Sequence, residues 1–376
     1  MPIDPKHLIE LADAALAADY TRVRRTAHML ARELEKAGNE SAAKELRAVV
    51  RKRGVPLRAS GYMESLPVDS KSRLPLVEEQ TWPSTPIFLN EEASRTFQDF
   101  LSDVENADAL SAKGLASRLG LMLSGPPGTG KTLLAGHIAA RLNRPFYVVR
   151  LDSVISSLLG DTAKNIRTVF DFVPSKNAVL FLDEMDAVAK LRDDRHELGE
   201  LKRVVNTVIQ GLDTLDMHAV VVAATNHPHL LDPAIWRRFP YKIELRLPQT
   251  EVRTDLWKHF LFEDHDGAMV SDILAVISDG LSGADIETIS LTARRHALLG
   301  ERNLDLGTVA LAIMNTKNGR SAMPQKEPLD TDQKRQLAIA LKGQGEISGA
   351  DIARLLNVTR QAVYLYLKPG EGPPNG

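Results

Sequence analysis

Apolar and polar positions follow two different rhythms along this chain. Between residues 6 and 53 the apolar side chains Leu8, Leu11, Leu16, Val23, Leu30, Leu34, Leu46 and Val50 recur at helical spacing. The rhythm breaks near Asp19 and at Gly38 and Asn39, which predicts three helices. From Val55 to Pro86 several prolines and mixed charges follow no sustained period, so a linker is predicted over 55–86. Helix-like stretches run on to Leu119. Short apolar runs then alternate with amphipathic ones: LGLMLS, PFYVVRL, NAVLFLDE, HAVVVAATN and YKIELRLP. That alternation predicts an α/β fold, a buried parallel sheet wrapped by helices over 87–249. A helical region follows over 250–318, and polar residues mark a second linker over 319–329. A last helical segment covers 330–368, before a tail over 369–376 that is expected to be disordered. The N- and C-terminal additions, 1–54 and 330–368, are thus all-α.

Length and composition narrow the function classes. At 376 residues the chain exceeds one average domain, and its 43% apolar and 26% charged residues are ordinary for a globular protein. No apolar run approaches the roughly 20 residues of a membrane helix, so no membrane partner is expected. The N-terminus lacks the basic start and small-residue cleavage site of a secretory signal, which points to the cytoplasm. With zero cysteines there are no disulfides, thiolate zinc sites or cysteine nucleophiles. The histidines show no metal-ligand spacing, which leaves Mg2+ as the expected metal. A net charge of −2 offers no global attraction to nucleic acid.

The chemistry concentrates in two segments. Gly125, Pro126, Pro127, Gly128, Thr129, Gly130, Lys131, Thr132 and Leu133 follow the strand-like LMLS and open a helical stretch, the context of a P-loop. Glycines let backbone N–H groups wrap phosphates, the helix N-terminus adds positive potential, Lys131 reaches the outer phosphates and Thr132 is suited to hold Mg2+. The ligand expected is ATP. In the second segment, Ala178 to Leu182 ends in Asp183 and Glu184, at the carboxyl edge of a buried strand where open α/β sheets bind ligands. Asp183 is placed to support the metal, and Glu184 to orient and deprotonate an attacking water.

These motifs and their neighbours resemble the AAA branch of AAA+ ATPases, which includes proteasomal ATPases, microtubule-severing enzymes and ESCRT-disassembly ATPases. The resemblance covers about residues 85 to 320. It implies a three-layer P-loop core over 87–249 and a helical lid over 250–318. Ala224, Thr225 and Asn226 resemble sensor 1, implying that Asn226 helps position the lytic water. The segment from Leu231 to Phe239 is similar to the arginine-finger segment, implying that Arg237 and Arg238 act across a subunit boundary in a ring, by resemblance a hexamer. Gly280 to Asp285 resembles the start of the sensor 2 helix in a branch with alanine at the arginine position, so no catalytic arginine is assigned there. At the first pore loop the family usually carries an aromatic residue, whereas Leu158, Leu159 and Gly160 stand here. Leucine grips a peptide by apolar contact without stacking, and the same leucines could instead close a helix onto the core.

Each end suggests a partner. Residues 347–368 place a helix, a turn at Asn357 and Val358, and a second helix, similar to a helix-turn-helix. In that reading Thr359 caps the recognition helix, with Arg360, Gln361 and Tyr364 facing double-stranded DNA. The alternative is a helical packing module. The N-terminal helices carry Arg22, Arg24, Arg25 and Arg32 opposite their apolar positions, suited to dock a protein through residues 6–53 or to form a solvated face. The expected function is an ATP-hydrolysing ring that remodels a protein. The alternative is a DNA-associated ATPase, of the kind found in transposition helpers or defence systems, recruited through 347–368.

Overall fold

The structure is a computed structural model. It describes residues 66–69, 73–156, 162–172, 177–190, 198–263, 265, 267–319, 323–343 and 347–368, with scattered positions between 7 and 46. The chain divides into two compact units, 1–65 and 66–376. In the first unit the described positions are helical, and Ala27, Leu30, Ala31 and Ala43 are buried. Arg22, Arg24, Arg25 and Arg32 lie outside the described residues.

The second unit is built on a six-stranded sheet in the order β1-β3-β4-β5-β2-β6. Its strands are β1 (Glu78–Gln80), β2 (Gly120–Ser124), β3 (Phe146–Arg150), β4 (Val179–Asp183), β5 (Val220–Thr225) and β6 (Tyr241–Glu244). Strands β2 to β6 pair in parallel, and the apolar runs of β2 to β5 are continuous because both faces are covered. Side chains alternate between two cores. Leu121, Leu123, Val179, Phe181 and Val222 serve one, and Met122, Leu180, Leu182, Val221 and Ala223 the other. The chain leaves β2 for β3 and only later fills the intervening positions with β4 and β5, which opens a crevice at the carboxyl end of β2.

The α/β fold is as expected, with local departures at one sheet edge and in the stretches read as linkers. The sheet is mixed rather than wholly parallel, because β1 pairs antiparallel with β3, Glu78 facing Val148. That edge strand falls inside the linker expected over 55–86, where Val77 is fully buried. Its Glu-Glu-Gln sequence is exposed along its length, so it carries no alternation to read. The linker expected over 319–329 ends in Leu329, which is buried among the residues of the helical core.

Around the sheet lie α1 (Glu91–Glu105), α2 (Lys131–Leu142), α3 (Thr162–Phe172) and α4 (Leu198–Thr214). After the sheet come α5 (Thr250–Phe262), α6 (Ala268–Ile277), α7 (Gly283–Leu299) and α8 (Leu306–Lys317). Trp257 of α5 is fully buried, and its indole N–H donates to Ser278 Oγ at 2.9 Å. Buried Arg253 donates to the carbonyls of Ala275 and Pro248, both at 2.7 Å, and thereby ties α5 to the end of α6. Ser282 and Asp285 form a capping box at the start of α7, satisfying two backbone donors that the helix leaves open.

Three more helices complete the unit: α9 (Thr331–Gly343), α10 (Gly349–Leu356) and α11 (Arg360–Leu367). Leu337, Leu341, Ile352, Leu355 and Val363 share one hydrophobic core with Trp257, Leu274, Ile286, Val309 and Ile313. The C-terminal helices are therefore packed onto α5 to α8 and do not stand apart on a tether. No described helix is long and apolar enough to cross a membrane.

Candidate active site

The loop between β2 and α2 is shaped by glycines in conformations other residues avoid. Gly125 has φ +141°, and a Cβ there would collide with the Leu245 carbonyl oxygen. Gly128 has φ +76°, and a Cβ there would collide with Ser282 Oγ at the start of α7. The loop can therefore pass closely beneath the helical region. Gly128 O also accepts a hydrogen bond from Ala284 N at 3.1 Å. Gly130 caps α2 without a side chain, so no side-chain oxygen takes up the first N–H groups of that helix.

Lys131 is buried, and its Nζ donates to the carbonyls of Gly125 and Pro126, both at 2.8 Å. Burial pulls the ammonium below its ordinary range, while Asp183 and Asp186 act in the opposite sense. Thr132 Oγ1 lies 3.4 Å from Asp183 Oδ2, so the hydroxyl and carboxylate expected to share a metal are side by side. Burial raises the Asp183 carboxyl. The Glu184 backbone N–H, Lys131, Arg150 and the Thr132 hydroxyl oppose that rise.

Glu184 leaves β4 with φ +56°, a left-handed conformation that is costly for a residue with a Cβ. Its carboxyl is raised first by burial and then by the carboxylate of Asp152, which also hydrogen-bonds to it, while Arg150 acts against the rise. Arg150 Nη2 stands 3.9 Å from Glu184 Oε1. A carboxylate made more basic and held at the mouth of a phosphate loop is suited to take a proton from water.

Asn226 directly follows the neighbouring strand β5. Its backbone N–H donates to Asp186 Oδ1 at 3.1 Å, but its own Oδ1 is buried without a hydrogen-bond partner. An orphaned buried acceptor beside Asp183 and Glu184 is the feature expected where a water or ligand donor belongs.

These groups converge on one open cavity of about 450 Å³, within the size range of small-molecule sites. Residues 127–133, Asp183, Glu184 and Asn226 make its polar side. Ile87, Phe88, Leu89, Val252, Leu256 and Phe260 make an apolar end. Gly283, Ala284 and Glu287 of α7 line it as well. The apolar lining was not read from the sequence as a site, because Val252, Leu256 and Phe260 sit at ordinary core spacing on α5. Ile87 to Leu89 precede α1 without any period.

The two arginines differ. Arg238 makes a bidentate bond to Asp213, with Nε at 3.2 Å and Nη2 at 2.9 Å, and donates to Ala234 O at 3.1 Å. Arg118 approaches the same Asp213 at 3.3 Å. Arg237 is exposed, and neither arginine lines the cavity. Leu158, Leu159 and Gly160 lie outside the described residues. Thr359, Arg360, Gln361 and Tyr364 are exposed on or beside α11, and none of them lines the cavity.

Comparison with known proteins falls on this region. The family described as "ATPase family associated with various cellular activities (AAA)" matches residues 121–247. An uncharacterized AAA family ATPase of Sinorhizobium fredii is 36% identical over 216 residues, covering 57% of this chain and 65% of the relative. A proteasome-activating nucleotidase of Sulfurisphaera tokodaii is 32% identical over 239 residues, covering 61% of each chain. The ATP-dependent zinc metalloprotease FtsH 3 of Sphaerobacter thermophilus is 32% identical over 220 residues, covering 56% of this chain and 44% of the relative. The chain thus spans less than two thirds of the length of each of these relatives. The family match begins in β2, just before the phosphate loop, and ends just beyond β6, so it is this stretch of the chain that is similar to AAA ATPases.

Proposed function

We propose that the chain is one subunit of a ring that hydrolyses ATP to remodel a protein substrate or partner complex. The observation that carries the ring is the position of Arg237. It is exposed, away from its own cavity, and among the described residues no partner for it is seen. The cationic residues lining that cavity are Lys131 and Arg246, and Arg246 is paired with Glu244 at 2.9 Å. A site that transfers a phosphoryl group needs further positive charge at the transition state, and an exposed arginine on a neighbouring copy supplies it.

In this reading the backbone of residues 125–130 and Lys131 hold the phosphates, and the apolar end of the cavity holds the base. Thr132 and Asp183 would hold Mg2+, which neutralises phosphate charge when bound. Glu184 takes a proton from the water that attacks the terminal phosphorus, and Asn226 Oδ1 orients that water. Arg237 acts in the adjoining subunit's site. The protein-handling part of the reading draws on relatives named as a proteasome-activating nucleotidase and a metalloprotease. Residues 6–53 are the proposed docking element, and Leu158 to Gly160 the proposed substrate contact.

A second reading, recruitment to double-stranded DNA, draws on α10 and α11. Asn357 turns between them with φ +49°, Thr359 Oγ1 accepts from Ala362 N at 3.2 Å, and Val363 points into the core. Arg360, Gln361 and Tyr364 are left outward, and no acidic side chain occurs from 352 to 370. One experiment separates the readings: ATP turnover of the full chain with added unfolded casein or with duplex DNA. Stimulation by casein alone is the expected result. Stimulation by DNA that Arg360→Ala removes would favour the second reading, and no response to either would contradict both.

A further inference from the structure

Two residues beyond Glu184 stands a carboxylate to which the mechanism above gives no work. Asp186 is 1% exposed and does not line the cavity. Burying a carboxylate is costly unless hydrogen bonds compensate it, and two of those that Asp186 accepts come from one place. Its Oδ1 accepts from Thr225 Oγ1 and from Asn226 N, both at 3.1 Å. The Thr225 hydroxyl oxygen in turn accepts from His227 N at 3.0 Å, so the hydroxyl proton is committed to Asp186. Beside them Met185 N donates to Ala224 O at 2.9 Å. The segment carrying Glu184 and the segment carrying Asn226 are thus clamped together immediately behind the cavity.

The clamp bears on the two groups that must share one water. Glu184 sits in a left-handed conformation that neighbouring contacts must hold. The Asn226 side chain presents a buried, unpartnered Oδ1, and its direction is set by the backbone that Asp186 grips. We propose that Asp186 is a positioning residue for hydrolysis. It fixes the Asn226 amide opposite the Glu184 carboxylate and so sets the rate of the chemical step more than the affinity for nucleotide, on which it acts indirectly through its charge near Lys131. This rests on the hydrolysis reading given above.

The test is a double-mutant cycle on the full chain, with kcat and KM for ATP measured separately. Asp186→Ala should lower kcat on the order of 10- to 100-fold, as loss of a group orienting a reactive residue typically does. The KM for ATP should stay within about threefold. Asp186→Asn should keep kcat within about fivefold of wild type, because its amide oxygen can accept the same two bonds. In an Asn226→Ala background, Asp186→Ala should cost less than about a further twofold, since the group it positions is already gone. Equal losses in both backgrounds, or unchanged kcat in Asp186→Ala, would overturn the proposal and leave the carboxylate a scaffold. If Asp186→Ala does not fold, Thr225→Val removes one of the two bonds and is read the same way: kcat down with KM held supports it, kcat unchanged overturns it. A wild-type chain without turnover at any protein concentration would instead overturn the hydrolysis reading, and this proposal with it.

Discussion

Glu184→Gln is expected to bind ATP with near wild-type affinity and to lose turnover by about 10²- to 10⁴-fold, the usual contribution of a positioned general base. The amide keeps the size of the side chain but cannot take a proton. The surroundings explain why this position carries the effect. The Glu184 carboxyl is raised by burial and by Asp152, and Arg150 lies 3.9 Å away at the end of β3. Fluorescent-nucleotide binding together with phosphate release measures both halves. Turnover within tenfold of wild type would remove the role assigned to Glu184, and loss of binding would mean that the substitution damaged the cavity itself.

Arg237→Ala is expected to lower kcat by about 10³-fold, the low end for an arginine that stabilises a transferring phosphoryl group. Arg238→Ala should cost far less. Its guanidinium is already committed to Asp213 and stands partly in solvent, so the loss is on the order of 1 kcal/mol of stability at most, with kcat nearly kept. The trans arrangement has its own signature. Lys131→Ala disables a subunit's own phosphate loop but leaves its arginine intact, and Arg237→Ala does the reverse. Mixed in equal amounts, the two inactive variants should regain activity at about one interface in four, given random order around a head-to-tail ring. No recovery from rings shown to contain both variants would place Arg237 outside catalysis.

The candidate site was legible where chemistry and local geometry coincide in a short stretch. Residues 125–132 need their glycines, lysine and threonine in that order, and Asp183 and Glu184 declare themselves by ending an apolar run. The four buried strands β2 to β5 were equally plain, because a strand covered on both faces leaves a continuous apolar run. What escaped is held together by contacts distant in sequence. Arg238 looks equivalent to Arg237 until Asp213, 25 residues earlier, is seen to bind it. Asp186 looks like one more acid after Glu184 until the fold brings Thr225 and Asn226 against it, 39 and 40 residues on. β1 escaped for another reason: three exposed polar residues at a sheet edge have no pattern to detect. The joining of α9 to α11 onto α5 to α8 rests on scattered apolar positions such as Leu329, Leu337 and Ile352, which read equally well as the core of a separate module.

Ring-dependent catalysis is tested most directly by steady-state ATP turnover per chain, measured across protein concentrations while mass photometry follows the assembly state. If Arg237 completes a neighbour's site, turnover per chain should be near zero where the chain is monomeric and should rise to a plateau as rings form. Turnover per chain that stays constant down to concentrations where only monomers remain would contradict it, because each subunit would then carry a complete site of its own.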